Sequence, residues 1–364
     1  MKIKNMKITY FFLFNLLFFG IISLTACKKE EIKTELGEPI SAENPFYHNY
    51  EDDTVYCPSM IDYKTEIITS NWEIKNQLDA YGGLDIDFFD EKFGIIANHG
   101  RILLTYDGGE SWQYKSTLMP TLSKVKTFGV DKFYISRFGI QKTENGGENY
   151  SDFGNLENRS GIFNFHFFDS ANAIICEGGS IKTTSNTGQD WERKEDVKGS
   201  NIQFLNDEIG YISGGYSGSG VAGGFFSNGD IYKTINGGQT WKRLNVNPLE
   251  ITTMYFTDEN TGLFTDYNGI VYKTTDGGTT WNIINDALCG YYMWDMIFTD
   301  KNTGYLASSY GIIFKTEDGG KTWKVDHYSG KKDSYNNHLG FSSLAKTPNN
   351  TVYITGSVTM KRIE

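Results

Sequence analysis

Six copies of one eight-residue phrase constrain what this 364-residue chain can fold into. The phrase reads Thr-x-(Asp or Asn)-x-Gly-x-x-(Trp or Tyr). It runs from Thr105 to Trp112, Thr143 to Tyr150, Thr184 to Trp191, Thr234 to Trp241, Thr274 to Trp281 and Thr316 to Trp323. The closing aromatics stand 38, 41, 50, 40 and 42 residues apart. A repeat of that period fits one four-stranded blade of a β-propeller. Asp-Gly or Asn-Gly between apolar and β-branched runs signals a tight hairpin. In the clearest copy, Gly277 and Gly278 reach positive φ at little cost. The Asp276 carboxylate is placed to accept N–H groups of its own turn. Trp281 opens the next strand and is large enough to cover the turn.

A longer pattern frames the phrase. Phe256-Thr257-Asp258, Gly262-Leu263 and Gly269 to Thr274 recur as Phe298-Thr299-Asp300, Gly304-Tyr305 and Gly311 to Thr316, with weaker versions from Phe88, Phe167 and Phe204. Each unit therefore reads as strand a, turn, strand b, turn, strand c, aspartate turn, strand d. Near the N-terminus, Trp72 stands where the aromatic of such a turn would end a unit. At the other end, Phe341 to Ala345, Val352 to Ile354 and Val358 to Ile363 supply three more strands. Three C-terminal strands and one N-terminal strand make a closing blade, which removes the free sheet edges. The expectation is all-β: a single β-propeller of seven four-stranded blades over residues 51–364, its last blade shared between the two ends.

These residues resemble the Asp-box, or bacterial neuraminidase, repeat. The fuller pattern, over roughly residues 80–325, resembles the propeller family of photosystem assembly and stability factors. The resemblance implies that Asp107, Asn145, Asn186, Asn236, Asp276 and Asp318 staple hairpins on the face away from any binding site. Each turn offers one carboxylate or carboxamide, whereas a calcium site needs several converging oxygens. No metal and no cofactor are therefore expected.

The first residues carry an address. Lys2, Lys4 and Lys7 precede the apolar run Tyr10 to Leu24, the pattern of an export signal over residues 1–26. Leu24-Thr25-Ala26-Cys27 resembles a lipoprotein processing box, which implies cleavage before Cys27 and acylation of its thiol. Several acyl chains bury enough methylenes for stable membrane anchoring. Lys28-Lys29-Glu30-Glu31 resembles the surface-export tag of some outer-membrane lipoproteins, and Lys28 stands where a retention signal would have aspartate. Residues 27–50 read as a flexible tether. The expected location is the bacterial outer membrane, lipid-anchored and facing the cell exterior. Net charge is −11, and losing three lysines with residues 1–26 makes it −14 (−11 − 3). An acidic body without a Lys/Arg cluster argues against nucleic-acid binding. Cys176 reads as a buried small hydrophobe. Cys57 and Cys289 both fall outside predicted strands, which leaves a pairing between them open.

A binding site is expected on the face opposite the aspartate turns, where inner strands begin and b–c turns lie. Counting back from the Phe of strand a, period-two alternation separates polar positions (Asp87 and Asp85, His166 and Asn164, Gln203 and Asn201, Tyr255 and Thr253, Asp295) from apolar ones. The polar set lines the central channel, either free or mutually bonded. The b–c turns add His99, Arg137, Phe138, Glu177, Asp266, Tyr267 and Tyr310, and the d–a links add Tyr291, Tyr292 and Trp294. Aromatics mixed with carboxylates and an arginine suit a protein or glycan partner. The ligand-binding candidates are Asp85, His99, Arg137, Glu177, Asp266, Tyr267, Trp294, Asp295 and Tyr310. Blade 4 differs by a Gly/Ser/aromatic insertion between Ile212 and Ile231, which can fold over one face as a lid. Two functions compete: a non-enzymatic binding or assembly module, and a sialidase-like glycan hydrolase, which a carboxylate pair would serve. Arg101-Ile102 is followed by Leu103 rather than the proline of the sialidase phrase, and no serine-hydrolase, P-loop or dinucleotide motif occurs. The module reading is preferred.

Overall fold

The computed structural model describes residues 71–78 and 83–363, apart from 118, 120–121, 157–160, 215–217, 220–224, 227–228, 245, 247–249 and 330–339. The signal, the tether, Cys27 and Cys57 lie outside the described residues. Seven sheets of four antiparallel strands form a ring of blades. Blades 1 to 6 span residues 83–116, 124–152, 162–198, 201–244, 251–285 and 293–328. Blade 5 shows the plan, with strands a to d at Ile251–Phe256, Gly262–Asp266, Val271–Thr274 and Asn282–Asn285. Blade 7 takes strands a to c from Phe341–Lys346, Val352–Gly356 and Val358–Arg362, and its outer strand from Trp72–Gln77. The two chain ends thus share one sheet, as the strand count predicts. The inner strand of each blade contacts the next, and Phe341–Lys346 meets Gly83–Phe88 to complete the circle.

Seven apolar clusters among the described residues fill the seven gaps between blades. Between blades 5 and 6, for example, Leu263 and Val271 pack with Met296, Phe298 and Phe314. Burial therefore joins neighbours around the ring rather than residues within one sheet, and no blade can bury its apolar faces alone. Within a blade, strand-a Phe, strand-b Gly and the turn tryptophan make one unit. A Cβ on Gly262 would stand 2.5 Å from the Phe256 ring. The ring lies flat on that bare backbone and meets Trp281 edge-on at 5.9 Å and 84°. Phe298 with Gly304 and Trp323, and Phe88 with Gly94 and Trp112, repeat the arrangement.

The aspartate turns explain their own sequence. The Thr274 hydroxyl donates to Asp276 Oδ1 at 2.8 Å and accepts from Gly278 N at 2.9 Å. Thr280 N donates to the same carboxylate oxygen at 2.9 Å. Equivalent bonds recur at Asp107, Asn145, Asn186, Asn236 and Asp318. Each turn also donates an N–H to the a–b turn beside it, as Gly277 N does to Asn260 O at 2.8 Å. One face of the ring is therefore paved with paired, internally bonded turns, and the b–c turns and d–a links fall on the other. The blade 4 insertion contains a small hairpin, Gly218–Ser219 with Phe225–Phe226.

One turn breaks the pattern. Its first flexible position is glycine in five copies, with φ between 65° and 72°, but Thr187 in blade 3, at φ 63°. A β-branched residue in the left-handed region is strained. Thr187→Gly should therefore raise unfolding free energy by about 1 kcal/mol, the relieved strain outweighing the added chain entropy of glycine. A higher urea midpoint at unchanged slope is the expected reading, and a lower midpoint would show that the threonine is not strained.

Candidate functional site

Most of the polar side chains expected along the channel bond to the inner strand of the next blade. Asp85 of blade 1 accepts from Val125 N (2.9 Å) and from Lys124 Nζ (2.8 Å), both on the inner strand of blade 2. Asp87 accepts from Thr127 N at 2.7 Å and from Lys126 Nζ at 2.6 Å. Asn164 donates to Asn201, Gln203 exchanges bonds with Phe256 N and O, and Tyr255 donates to Phe298 O. Asp295 of blade 6 accepts from Leu344 N of blade 7 at 2.8 Å. Ser343 of blade 7 lies between Asp85 (2.9 Å) and Asp295 (3.3 Å). Burial disfavours the Lys124 ammonium, yet Asp85 and Asp295 outweigh that and lift its pKa above the ordinary lysine value. Asp295 itself is raised, by burial against the opposing pull of Lys124 and two backbone N–H groups. Two of the candidate residues, Asp85 and Asp295, thus tie the closing blade to its neighbours from inside the channel.

The other candidates sit on the b–c face, spread around it. His99 is exposed on blade 1. Arg137 on blade 2 is partly buried, with its guanidinium 5.2 Å from the Phe138 ring centroid. Glu177 on blade 3 is buried and paired with Lys182 of the adjoining strand. Asp266 on blade 5 is buried, with Oδ1 accepting from Asn268 N (2.9 Å) and Ile270 N (3.0 Å), and Oδ2 from the Tyr272 hydroxyl at 3.1 Å. Burial lifts its pKa to about 6 against the pull of those bonds. Glu177 and Asp266 therefore stand two blades apart, each committed to an internal partner.

The structure does gather aromatics. Tyr267, Trp294 and Tyr310 are about half exposed. Tyr292 bridges Tyr267 (5.7 Å, 80°) and Trp294 (4.6 Å, 56°), and Tyr310 stands edge-on to Tyr291 at 6.3 Å. Ser309 N donates to Tyr292 O at 2.9 Å and holds the turn against the link, while Tyr310 sits at φ 65°. Left-handed backbone at an aromatic residue is uncommon outside functional loops. Phe138 and Phe163 are exposed on the same face at blades 2 and 3.

Phe163 escapes the sequence pattern for a definite reason. In five blades the strand a to b pairing skips one residue near the start of strand a: Leu84, Phe163, Thr252, Trp294 and Ser342. Such a bulge reverses the alternation of sides. Phe163, which strict alternation would turn inward, is thereby exposed, and Trp294, expected on this face from its place in a d–a link, is exposed at the same kind of bulge three blades away in the ring of seven. Among the described cysteines, Cys176 is free and buried, while Cys289 is disulfide-bonded.

No protein-family model and no curated protein matches the chain. Solved structures do. YCF48 bound to a D1 peptide superposes with a TM-score of 0.64 at 18% identity, covering 84% of this chain and 97% of the other. YCF48 from Cyanidioschyzon merolae gives 0.62 at 17%, covering 80% and 98%. The WD40 propeller domain of Doa1 gives 0.61 at 9%, covering 80% and 97%. At these identities the likeness establishes a common propeller fold.

Asp266 provides a test of the site's electrostatics. Its pKa is raised in the folded state from an ordinary 3.8 to about 6. The stability tied to its proton is therefore present below about pH 4 and lost as pH rises through about 6. Asp266→Asn keeps an acceptor for Asn268 and Ile270 and offers an amide donor to Tyr272. Denaturation measured from pH 4 to 7 should show the variant gaining on the wild type by about 2–3 kcal/mol, at 1.36 kcal/mol per pKa unit, then levelling off. A difference independent of pH would mean that Asp266 ionises normally.

Proposed function

We propose that this protein is a non-enzymatic binding or assembly module that engages a protein partner through the b–c face. One observation carries the reading. Among the described residues, the large apolar side chains exposed on that face are all aromatic (Phe138, Phe163, Tyr267, Trp294 and Tyr310), and three of them cluster where blades 5 and 6 meet. Rigid aromatics lose little entropy when ordered and dominate binding hot spots. YCF48, whose propeller this chain resembles in fold, has been solved with a bound peptide. A closed ring of sheets with stapled turns on one face supplies a stiff platform for such contacts.

Hydrolysis finds less support. Glu177 is buried against Lys182, and Asp266 spends Oδ1 on its own turn and Oδ2 on Tyr272 of the following strand. Retaining and inverting glycosidases alike need two carboxyl groups facing one bond. A glycan partner bound without turnover is the alternative ligand for the same face.

The N-terminal sequence supports an anchored setting. Processing before Cys27 and acylation of its thiol would hold the propeller on a tether at the outer membrane, with the Lys28 to Glu31 cluster directing it to the cell surface. Metabolic labelling with an alkynyl fatty acid should mark the wild-type chain and not Cys27→Ser, which should also leave the membrane fraction. Label retained by the variant would dismiss the anchor. Separately, partners cross-linked to the purified propeller in outer-membrane extract should be lost in Tyr267→Ala/Tyr310→Ala, with no cleavage of glycans by the wild type. Glycan turnover, or partners that survive the double change, would overturn the reading of this face.

A further inference from the structure

The aromatic cluster has a corner shape and a charged neighbour. Tyr267 and Tyr292 meet at 80°, and Tyr292 and Trp294 at 56°, so the three rings stand at steep angles to one another rather than forming a flat platform. Tyr267 and Trp294 are each about half exposed, and Tyr292 is partly so. Glu250, at the foot of the inner strand of blade 5, lies beside them: its carbonyl accepts from Tyr267 N at 2.8 Å. Its carboxylate also acts on the Tyr292 phenol, whose pKa is raised to about 12, first by burial and then by that charge.

Ring faces carry negative quadrupole density, and a carboxylate adds full negative charge. A sugar ring wants an open ring face with hydrogen-bonding groups at its edge, whereas a compact cation gains from several faces at once. We propose that Tyr267, Tyr292 and Trp294, with Glu250 beside them, form a receptor for the arginine or lysine side chain of a protein partner. The inference rests on the reading of the b–c face as a protein-binding surface and names the chemistry it selects. The receptor lies at the rim of the channel mouth, on a turn and an inner-strand start, where a long basic side chain reaches it from above. Its charge complements the partner's cation, and its rings pack on the methylene stem.

The test uses two small peptides that differ in charge alone, acetyl-Gly-Arg-Gly-amide and its citrulline counterpart. Both are titrated into the full processed chain. The indole N–H resonance of Trp294, assigned by its loss in Trp294→Phe, reports occupancy. The arginine peptide should shift that resonance saturably, and the citrulline peptide should bind about tenfold more weakly. Glu250→Gln should weaken the arginine peptide about threefold or more and leave the citrulline peptide unchanged, with the remaining indole resonances confirming an intact fold. Equal affinities for the two peptides, or no shift at Trp294 with either, would overturn the cation receptor. Failure here while partner capture still depends on Tyr267 and Tyr310 would remove the receptor and leave the module. Peptide binding without any captured partner would do the reverse.

Discussion

Everything in this molecule depends on closing a ring. Each blade leaves apolar side chains on both sheet faces, and only a neighbour on either side covers them. Seven inter-blade clusters do so, and the seventh gap is filled because Trp72–Gln77 pairs with Val358–Arg362. That outer strand is tied on both flanks. Trp72 Nε1 donates to Asp326 of blade 6 at 2.7 Å, and Lys75 pairs with Glu110 of blade 1 at 2.7 Å. Inside the channel, Ser343 receives the same two-sided hold from Asp85 and Asp295. An open ring would leave a bare sheet edge and an uncovered blade face, each costing more than any single turn can supply.

The two faces divide the labour. On one, every aspartate or asparagine turn spends its side chain on its own backbone and a backbone N–H on the turn beside it. Those side chains are committed to holding hairpins, which is why the same phrase can recur six times. On the other face the turns differ in length and chemistry, from Asn98-His99 to the hairpin-bearing insertion of blade 4. Stiffness on the first face allows variation on the second, and the variation is where recognition lives.

The sequence made most of the fold legible, because the features that build it are local and repeated. The glycine pairs, the Phe-x-Asp turns and the period of about 40 residues each follow from short-range geometry. The division of the last blade between chain ends was legible too, since three strands at one end and one at the other complete a single sheet. The site was only partly legible. Aligning repeats placed Tyr267, Trp294 and Tyr310 on one face, but it left out Phe163, which strict alternation would turn inward. The bulges that reverse its side carry no marker in the residues themselves. Whether Asp85, Glu177 and Asp266 stay free or become internal partners depends on Val125, Lys182 and Tyr272. Lys182 and Tyr272 stand only five and six positions along the chain, on the strand that pairs with their partner's, while Val125 is 40 residues away on the inner strand of the next blade, brought to Asp85 by ring packing. Glu250 escaped for a similar reason: it matters through its neighbours Tyr267 and Tyr292, which only the folded ring brings to it.

The closing blade has a bearing on how the chain is made. Trp72 pairs with Arg362, 290 positions later (362 − 72). A ribosome delivers the first of these strands long before the second exists. Through most of synthesis the early strand has nothing to pair with, and the growing arc ends in an unpaired border. Cooperative locking must therefore wait for Val358–Arg362, so a chain lacking that strand yields an arc rather than a wheel. Closure is in this sense a geometric check: the early strand is fastened only once its distant partner has been made.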